Sequence, residues 1–231
     1  MKLFCFPYAG GSSSSIYGCW NNLLNNIEVI PIELAGRGSR LGESYYSTFD
    51  DAIKDVQKMM LDRLEPNSPY MIFGHSMGAL MAYELSYRMI EEGRNIPVHL
   101  FISGKSAPSV KKQKSALYKL DDDSFKRELF ELGGTPKEIL EDDDLFELFA
   151  PAIRSDFKIV QTYNQSRKPI LNIPVTVFCG TKDKQVNINE AKLWAEFTTK
   201  TYDQHFFNGG HFFIHKYKEK ILSIVTSKIS S

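Results

Sequence analysis

The stretch Met71-Ile72-Phe73-Gly74-His75-Ser76-Met77-Gly78-Ala79-Leu80 constrains the fold more than any other part of the chain. An apolar run leads into Gly-His-Ser-Met-Gly, and a helical pattern follows. This is the G-x-S-x-G form of a nucleophile elbow, in which a serine sits on a sharp turn between a strand and a helix. The turn holds the hydroxyl out at the end of a sheet. Gly74 and Gly78 flank the serine because side chains there would collide with the neighbouring strand and helix. The helix after Ser76 aims its N-terminal dipole and free N–H groups at the same point. Such a short pattern also arises by chance. The reading therefore requires an acid and then a histidine later in the chain.

The flanking sequence alternates as an α/β sheet would. Lys2 to Phe6 reads as a buried strand ended by Pro7, followed by the glycine-rich turn Tyr8-Ala9-Gly10-Gly11. A helix is expected from about Ser14 to Leu24, with Trp20 and Leu23–Leu24 facing the core. Glu28 to Leu34 is a second apolar strand, and Ala35 to Arg40 a loop. Thr48 suits a helix N-cap, and Asp50 and Asp51 suit the positive end of its dipole. Ile53, Val56, Met60 and Leu64 give that helix its buried face. Ala79 to Glu92 is a long helix stopped by Gly93. Val98–Ser103, Pro174–Cys179 and Thr201–Phe207 are further strands, with helices at Asn189–Phe197 and Ile214–Lys228. This order predicts one α/β domain over residues 1–231, with a mostly parallel central sheet covered by helices on both faces.

From about residue 117 to 163 the alternation stops. Asp121–Phe130 is amphipathic. Thr135, Pro136 and Glu138 stand as N-cap, N1 and N3 of another helix. Asp142–Phe149 and Ala152–Tyr163 read as two more helical pieces. A helical insertion between strands lies over their carboxyl ends, where ligands bind, and so makes a natural lid.

Composition excludes several function classes. The 231 residues carry 28 basic and 28 acidic side chains, so nothing favours nucleic acid or an anionic membrane. No apolar run approaches the roughly 18 residues of a membrane span. Met1 to Phe6 is too short before Pro7 for a signal h-region. Three cysteines (Cys5, Cys19 and Cys179) are an odd number without metal-type spacing; Cys5 and Cys179 lie in apolar runs and read as buried reduced thiols, which suggests a cytoplasmic protein. No metal or cofactor is expected.

A serine needs a base, and the base needs an acid to orient it. In α/β-hydrolases the order is Ser, Asp or Glu, then His. Of the five histidines, His75 is inside the elbow, His99 and His205 lie in strand-like runs, and His215 lies on the last helix. His211 follows Asn208-Gly209-Gly210 on a loop after the last strand, and is the expected base. The acid should end a strand between Ser76 and His211. Gly104 to Pro108 offers no carboxylate, whereas Gly180-Thr181-Lys182-Asp183 does, so Asp183 is the expected acid. Asp156 and Asp142–Asp144 read as caps or solvated charges, and Asp203 as exposed. The oxyanion hole needs two backbone N–H donors. Met77 supplies one, and Ala9, with Tyr8 as its rival, the other.

The chain resembles the type II thioesterases, free-standing hydrolases that accompany nonribosomal peptide and polyketide synthases. The marks are Phe4 to Gly11, Gly36-Arg37-Gly38-Ser39-Arg40, Phe73 to Ala79, Gly133-Gly134-Thr135-Pro136, Arg154-Ser155-Asp156-Phe157 and Gly209-Gly210-His211-Phe212-Phe213. One departure is Ala35, where the family usually has proline. The resemblance implies an α/β-hydrolase fold and the triad Ser76, Asp183 and His211. The expected reaction is hydrolysis of acyl groups from the phosphopantetheine arm of a carrier protein, by a monomer. Lys105, Lys111, Lys112 and Lys114 are candidates for meeting an acidic carrier. A small-ester or acyl-CoA hydrolase, an acyltransferase and a non-catalytic binding module are the competing readings.

Overall fold

The computed structural model describes residues 1–24, 26–110, 116–164 and 170–229. The chain opens with β1 (Lys2–Phe6), α1 (Ser13–Tyr17), a 3-10 segment (Gly18–Leu23) and β2 (Glu28–Pro31). It continues with α2 (Phe49–Leu61), β3 (Tyr70–His75), α3 (Met77–Glu91) and β4 (His99–Ser103). Three helices follow before the next strand: α4 (Asp122–Leu132), α5 (Lys137–Glu141) and α6 (Asp143–Thr162). Then come β5 (Val175–Gly180), α7 (Ile188–Lys192), a 3-10 segment (Leu193–Phe197) and β6 (Tyr202–Phe207). Helices α8 (Phe213–Lys216) and α9 (Lys218–Ser227) close the chain.

Six strands form one sheet in the order β2-β1-β3-β4-β5-β6, with every adjacent pair parallel. Alternate residues on a strand point to opposite faces, and each face carries its own core. Phe4, Phe6, Ile72, Leu100, Ile102, Val175 and Val177 pack with α2 and α3. Leu3, Cys5, Met71, Phe73, Phe101 and Phe178 pack with α1, Trp20 and α9 on the other face. Burial on both faces explains why the strands read as continuous apolar runs rather than as alternating ones. No helix among the described residues is long and apolar enough to cross a membrane.

Local differences from the sequence reading have local causes. The first helix lasts one turn and gives way to 3-10 geometry, because the Asn21 side chain bonds both Val29 backbone groups (2.8 and 2.9 Å) and pulls the chain onto β2. Leu23 is consequently 43% exposed rather than core-facing. β2 ends at Pro31, although the Ile32 N–H still donates to the Cys5 carbonyl at 3.0 Å; Pro31 is tolerated because its nitrogen faces the open edge of the sheet. Thr48 does cap α2, in a full capping box with Asp51. Thr135 does not cap: α5 starts at Lys137 behind Pro136, with no side-chain cap. The two helical pieces on either side of Pro151 are one helix, α6, with Pro151 inside it. Burial of Phe146, Ala150, Ala152 and Ile153 along one face holds that helix across the missing hydrogen bond. The closing helix is split at Tyr217.

The helical insertion has a small core of its own, built from Phe125, Leu129, Leu140, Phe146, Ala150 and Ile153. It is thus held together as a unit between β4 and β5.

Candidate active site

The chain runs from β1 outward to β2, then returns to place β3 on the other side of β1. This reversal opens a crevice at the carboxyl ends of β1 and β3, the usual ligand position in such sheets. The Tyr8–Gly11 turn leaves β1 there, and Ser76 leaves β3 beside it.

Ser76 has φ 55° and ψ −109°, a backbone conformation that an L-residue adopts only under restraint. The restraint is visible. The Ser76 N–H donates to the Ser103 carbonyl at 2.8 Å. A Cβ on Gly74 would lie 2.1 Å from the Gly78 carbonyl oxygen, and one on Gly78 would lie 2.2 Å from the Phe6 carbonyl oxygen. Only glycine at both positions lets β3, α3 and the end of β1 close around the turn. Met77, the next residue, begins α3.

Asp183 and His211 are brought together by backbone bonds between the loops that carry them. Thr181 N–H donates to Phe207 O (2.8 Å), and Lys182 N–H to Gly209 O (2.9 Å). His211 Nδ1 meets Asp183 Oδ2 at 2.8 Å, with side chains 5% and 0% exposed. The other carboxylate oxygen, Oδ1, accepts the Gln185 and Val186 N–H groups (2.7 and 3.1 Å). These bonds fix the carboxylate and so fix the imidazole. Ser76 and His211 line one cavity. No hydrogen bond joins their side chains in this structure; in resting sites that contact is often long and tightens around substrate.

The Tyr8–Gly11 turn closes through Gly11 N–H to Tyr8 O (3.0 Å), with Gly10 at φ +78°. A glycine with positive φ in the third position is the type II arrangement. Tyr8 O and Ala9 N–H belong to one peptide plane and point opposite ways. Engaging the carbonyl inside the turn therefore turns the Ala9 N–H out of it. Ala9 lines the Ser76 cavity.

None of the other four histidines lines the cavity that Ser76 and His211 share. His75 is fully buried, its Nδ1 2.9 Å from Ser103 Oγ and its ring 5.0 Å from the His211 ring. Burial, and then the neighbouring His211 and His215, hold its pKa well below the usual imidazole value. His99 pairs with Thr176 Oγ1 at 2.8 Å, and burial lowers its pKa to about 4. His215 Nε2 lies 3.2 Å from the Tyr8 hydroxyl. His205 stacks on Phe178.

Two carboxylates differ from their sequence reading. Asp203 is half-buried and paired with Lys228. Asp156 is neither a cap nor a solvated charge: its side chain is 1% exposed and carries a two-point ion pair to Arg37, at 2.5 and 2.7 Å. The helical spacing of the insertion hid this, because the partner lies 119 residues away. Asp142 does cap α6, accepting the Leu145 N–H. Of the lysines proposed to meet a carrier, Lys111, Lys112 and Lys114 lie outside the described residues, and Lys105 is half-buried.

The cavity at Ser76 encloses about 50 Å³ and is walled by the insertion through Leu129, Leu132, Gly133, Gly134, Thr135 and Phe157. Phe212 and Gln185 complete it. Sequence reasoning gave these wall residues no place at the site, although Gly133, Gly134, Thr135, Phe157 and Phe212 all stood inside quoted motifs. Two roomier depressions, of about 270 and 500 Å³, lie elsewhere, lined by α2 and α3 and by the chain around Met1 and Pro69. Neither contains the serine and histidine, so chemistry rather than size selects the site.

Known proteins resemble this chain over nearly its whole length. The linear gramicidin dehydrogenase LgrE of Brevibacillus parabrevis is 34% identical over 233 residues, covering 99% of this chain and 88% of its own. The crystal structure of ClbQ from the colibactin nonribosomal peptide/polyketide pathway superposes with TM-score 0.92 at 33% identity, covering 99% of this chain and 96% of that one. The type II thioesterase BorB from the borrelidin cluster gives TM-score 0.88 at 30% identity, covering 98% and 91%. These likenesses place the six-stranded sheet and its insertion in the α/β-hydrolase fold. The family model for the thioesterase domain matches residues 1–229, and the chain belongs to the thioesterase family, as a type II thioesterase.

Proposed function

We propose that this thioesterase hydrolyses acyl thioesters carried on the phosphopantetheine arm of carrier proteins, clearing wrong or stalled groups from a nonribosomal peptide or polyketide assembly line. The reading is supported by the pathways named for ClbQ and BorB. The observation that carries the chemistry is the 2.8 Å contact between His211 Nδ1 and Asp183 Oδ2, with His211 and Ser76 facing one cavity. The redox reaction in the name of LgrE is said of that protein and is not carried over.

In this mechanism Ser76 Oγ attacks the thioester carbonyl while His211 Nε2 takes its proton. Asp183 holds the proton on Nδ1 and stabilises the imidazolium that forms. The Met77 and Ala9 N–H groups bind the oxyanion, each such donor being worth about 2.7–4 kcal/mol of barrier. His211 returns the proton to the departing pantetheine thiol. Water, activated by the same imidazole, then releases the acyl group from Ser76. No metal or cofactor enters any step. The enzyme works as a monomer in the cytoplasm, and the α4–α6 insertion acts as the lid of a single domain.

Comparing hydrolysis of an acyl-carrier protein, the matching acyl-CoA and a simple ester tests the substrate class. The carrier thioester should have the highest kcat/KM. A higher value for acyl-CoA or the ester would replace this reading with a general acyl hydrolase. A serine-directed fluorophosphonate should label the wild type and not Ser76→Ala; absence of labelling in both would point to a binding module.

A further inference from the structure

Asp156 is a buried carboxylate that bonds the Tyr8–Gly11 turn and has no part in the mechanism above. It sits on α6, in the insertion. Its Oδ2 accepts the Gly10 N–H at 2.7 Å as well as Arg37 Nη1, and its Oδ1 accepts Arg37 Nη2. Arg37 comes from the loop after β2, and its Nη1 also reaches the Gly11 carbonyl at 3.5 Å. Three segments distant in sequence therefore meet at the turn that carries Ala9.

The position of these bonds matters. The Gly10 N–H belongs to the central peptide of the Tyr8–Gly11 turn. The orientation of that peptide is what separates a type II turn from a type I turn. An acceptor on its N–H selects one orientation. Closure of the turn by Gly11 N–H to Tyr8 O fixes the preceding peptide, which bears the Ala9 N–H. With both planes fixed, the Ala9 N–H has one direction.

On the far side, Glu33 accepts the Ser12 hydroxyl and the Ser13 N–H at 2.7 and 2.9 Å, so the chain leaving the turn is anchored as well. The bare geometry of a four-residue loop ending in two glycines would not provide this rigidity, because glycine backbones sample the most conformations.

The charge is committed to this task. An unpaired carboxylate this deeply buried would cost several kcal/mol. Arg37 pairs with both oxygens of Asp156 and holds the carboxylate in register, and Oδ2 also accepts the N–H of the turn. A buried pair of this kind is weak evidence for stability, since apolar replacements often do as well. A pair with one of its oxygens spent on a peptide beside an oxyanion donor has a geometric use that apolar residues cannot reproduce.

We propose that Asp156, oriented by Arg37, is a positioning residue that sets the Tyr8–Gly11 turn for oxyanion binding and makes a correctly formed hole depend on the seating of the insertion helix α6. This rests on the serine-hydrolase reading above. Because α6 carries both Asp156 and a wall of the cavity through Phe157, displacing the helix withdraws the acceptor from Gly10. The hole and the acyl cavity are then completed together.

The test uses the full chain with a butyryl-N-acetylcysteamine thioester, which reports kcat and KM without carrier docking. A trifluoromethyl ketone thioether serves as the second probe, since its tetrahedral adduct with Ser76 places an oxyanion where the intermediate's would lie. Asp156→Ala should lower kcat by about ten- to hundredfold, with KM changed less than about threefold, since the hole is loosened rather than removed. Affinity for the trifluoromethyl ketone should fall in parallel with kcat/KM. Asp156→Asn, whose amide oxygen still accepts the Gly10 N–H, should recover part of the loss.

The paired substitution Arg37→Met with Asp156→Leu removes both charges and keeps the volume. It should melt near the wild type yet retain the low kcat. Ser76→Ala separates this proposal from its parent: turnover surviving in Ser76→Ala would overturn both. A Ser76-dependent enzyme whose folded Arg37→Met/Asp156→Leu form keeps wild-type kcat and inhibitor affinity would overturn the positioning role alone. Loss confined to KM would overturn it as well.

Discussion

Asp183 and Asp156 are alike by every local measure. Both side chains are almost entirely out of water, both meet a cationic or imidazole partner, and both accept backbone N–H groups. They differ in what carries them. Asp183 stands on a loop at the sheet edge, stapled by backbone bonds to the loop that bears His211. Asp156 stands on α6, in an insertion with its own core. In the proposed mechanism the first acts on the group that moves the proton; in the proposed positioning role the second acts on a turn that only has to be in place. Burial and pairing therefore do not by themselves distinguish a catalytic acid from a positioning one. The distinction lies in what the partner touches.

Mutation of the serine and of the two aspartates gives the strongest way to break this comparison. Ser76→Ala should lower thioester turnover at least about 10⁴-fold, leaving only what binding and the oxyanion donors supply. Asp183→Asn keeps the shape but favours the wrong tautomer of His211, and should cost about 10⁴-fold in kcat. The Asp156 variants should lose at most about a hundredfold. Steady-state kinetics on one thioester would check all three. Equal losses at Asp183 and Asp156 would erase the difference between the two regions.

Two glycines sharpen the comparison in terms of stability. On Gly78 a Cβ would overlap the Phe6 backbone at 2.2 Å, and on Gly134 it would overlap the Phe212 ring at 2.1 Å. Backbone at a sheet edge cannot step aside, so Gly78→Ala should destabilise the protein by about 3 kcal/mol in urea unfolding. A ring can rotate. Gly134→Ala should cost nearer 1–2 kcal/mol, mostly for φ +84°. Its larger effect should be on KM, through Phe212 in the cavity wall. A Gly134→Ala loss as large as that of Gly78→Ala would mean that the insertion is as rigid as the sheet.

The same division governs what could be read from the sequence. The Asp183–His211 contact and the cavity His211 shares with Ser76 were legible because each of the three residues follows a strand, and strand ends in a parallel sheet share one edge. The glycines of the elbow were legible because a tight strand-to-helix turn has one spelling. Helices of the insertion were legible in kind but not in joining: Pro151 looked like a break, and burial on one face kept α6 continuous. Thr135 looked like a cap, and it instead lines the cavity beside Gly134. Asp156 was misjudged because its partners, Gly10 and Arg37, lie 146 and 119 residues away. Local periodicity carries no information about a contact that only the fold creates.

The remaining expected effect is a pH dependence confined to one region. All five histidines lie outside residues 117–163. His75 and His99 are neutral in the fold because burial depresses their pKa values, to about 4 for His99. The unfolded chain binds protons at these sites below the ordinary value of about 6.5, and the native one does not. Unfolding therefore takes up protons, and stability falls as the pH drops below about 6.5, by at most about 1.4 kcal/mol per unit for each histidine.

The insertion responds later. Asp121 is held down by the Ser124 N–H, and Asp143 by Lys126, so their contributions persist until the pH nears the carboxylate range. Trp20 and Trp194 both report on the sheet side. Urea midpoints followed by tryptophan fluorescence should correspond to about 2–3 kcal/mol less stability at pH 5.5 than at pH 7.5. His99→Gln should remove roughly half of that slope. Amide exchange in α4 and α6 that rises before exchange in β3 and β4 over the same interval would reverse the assignment, making the insertion rather than the sheet the acid-sensitive part.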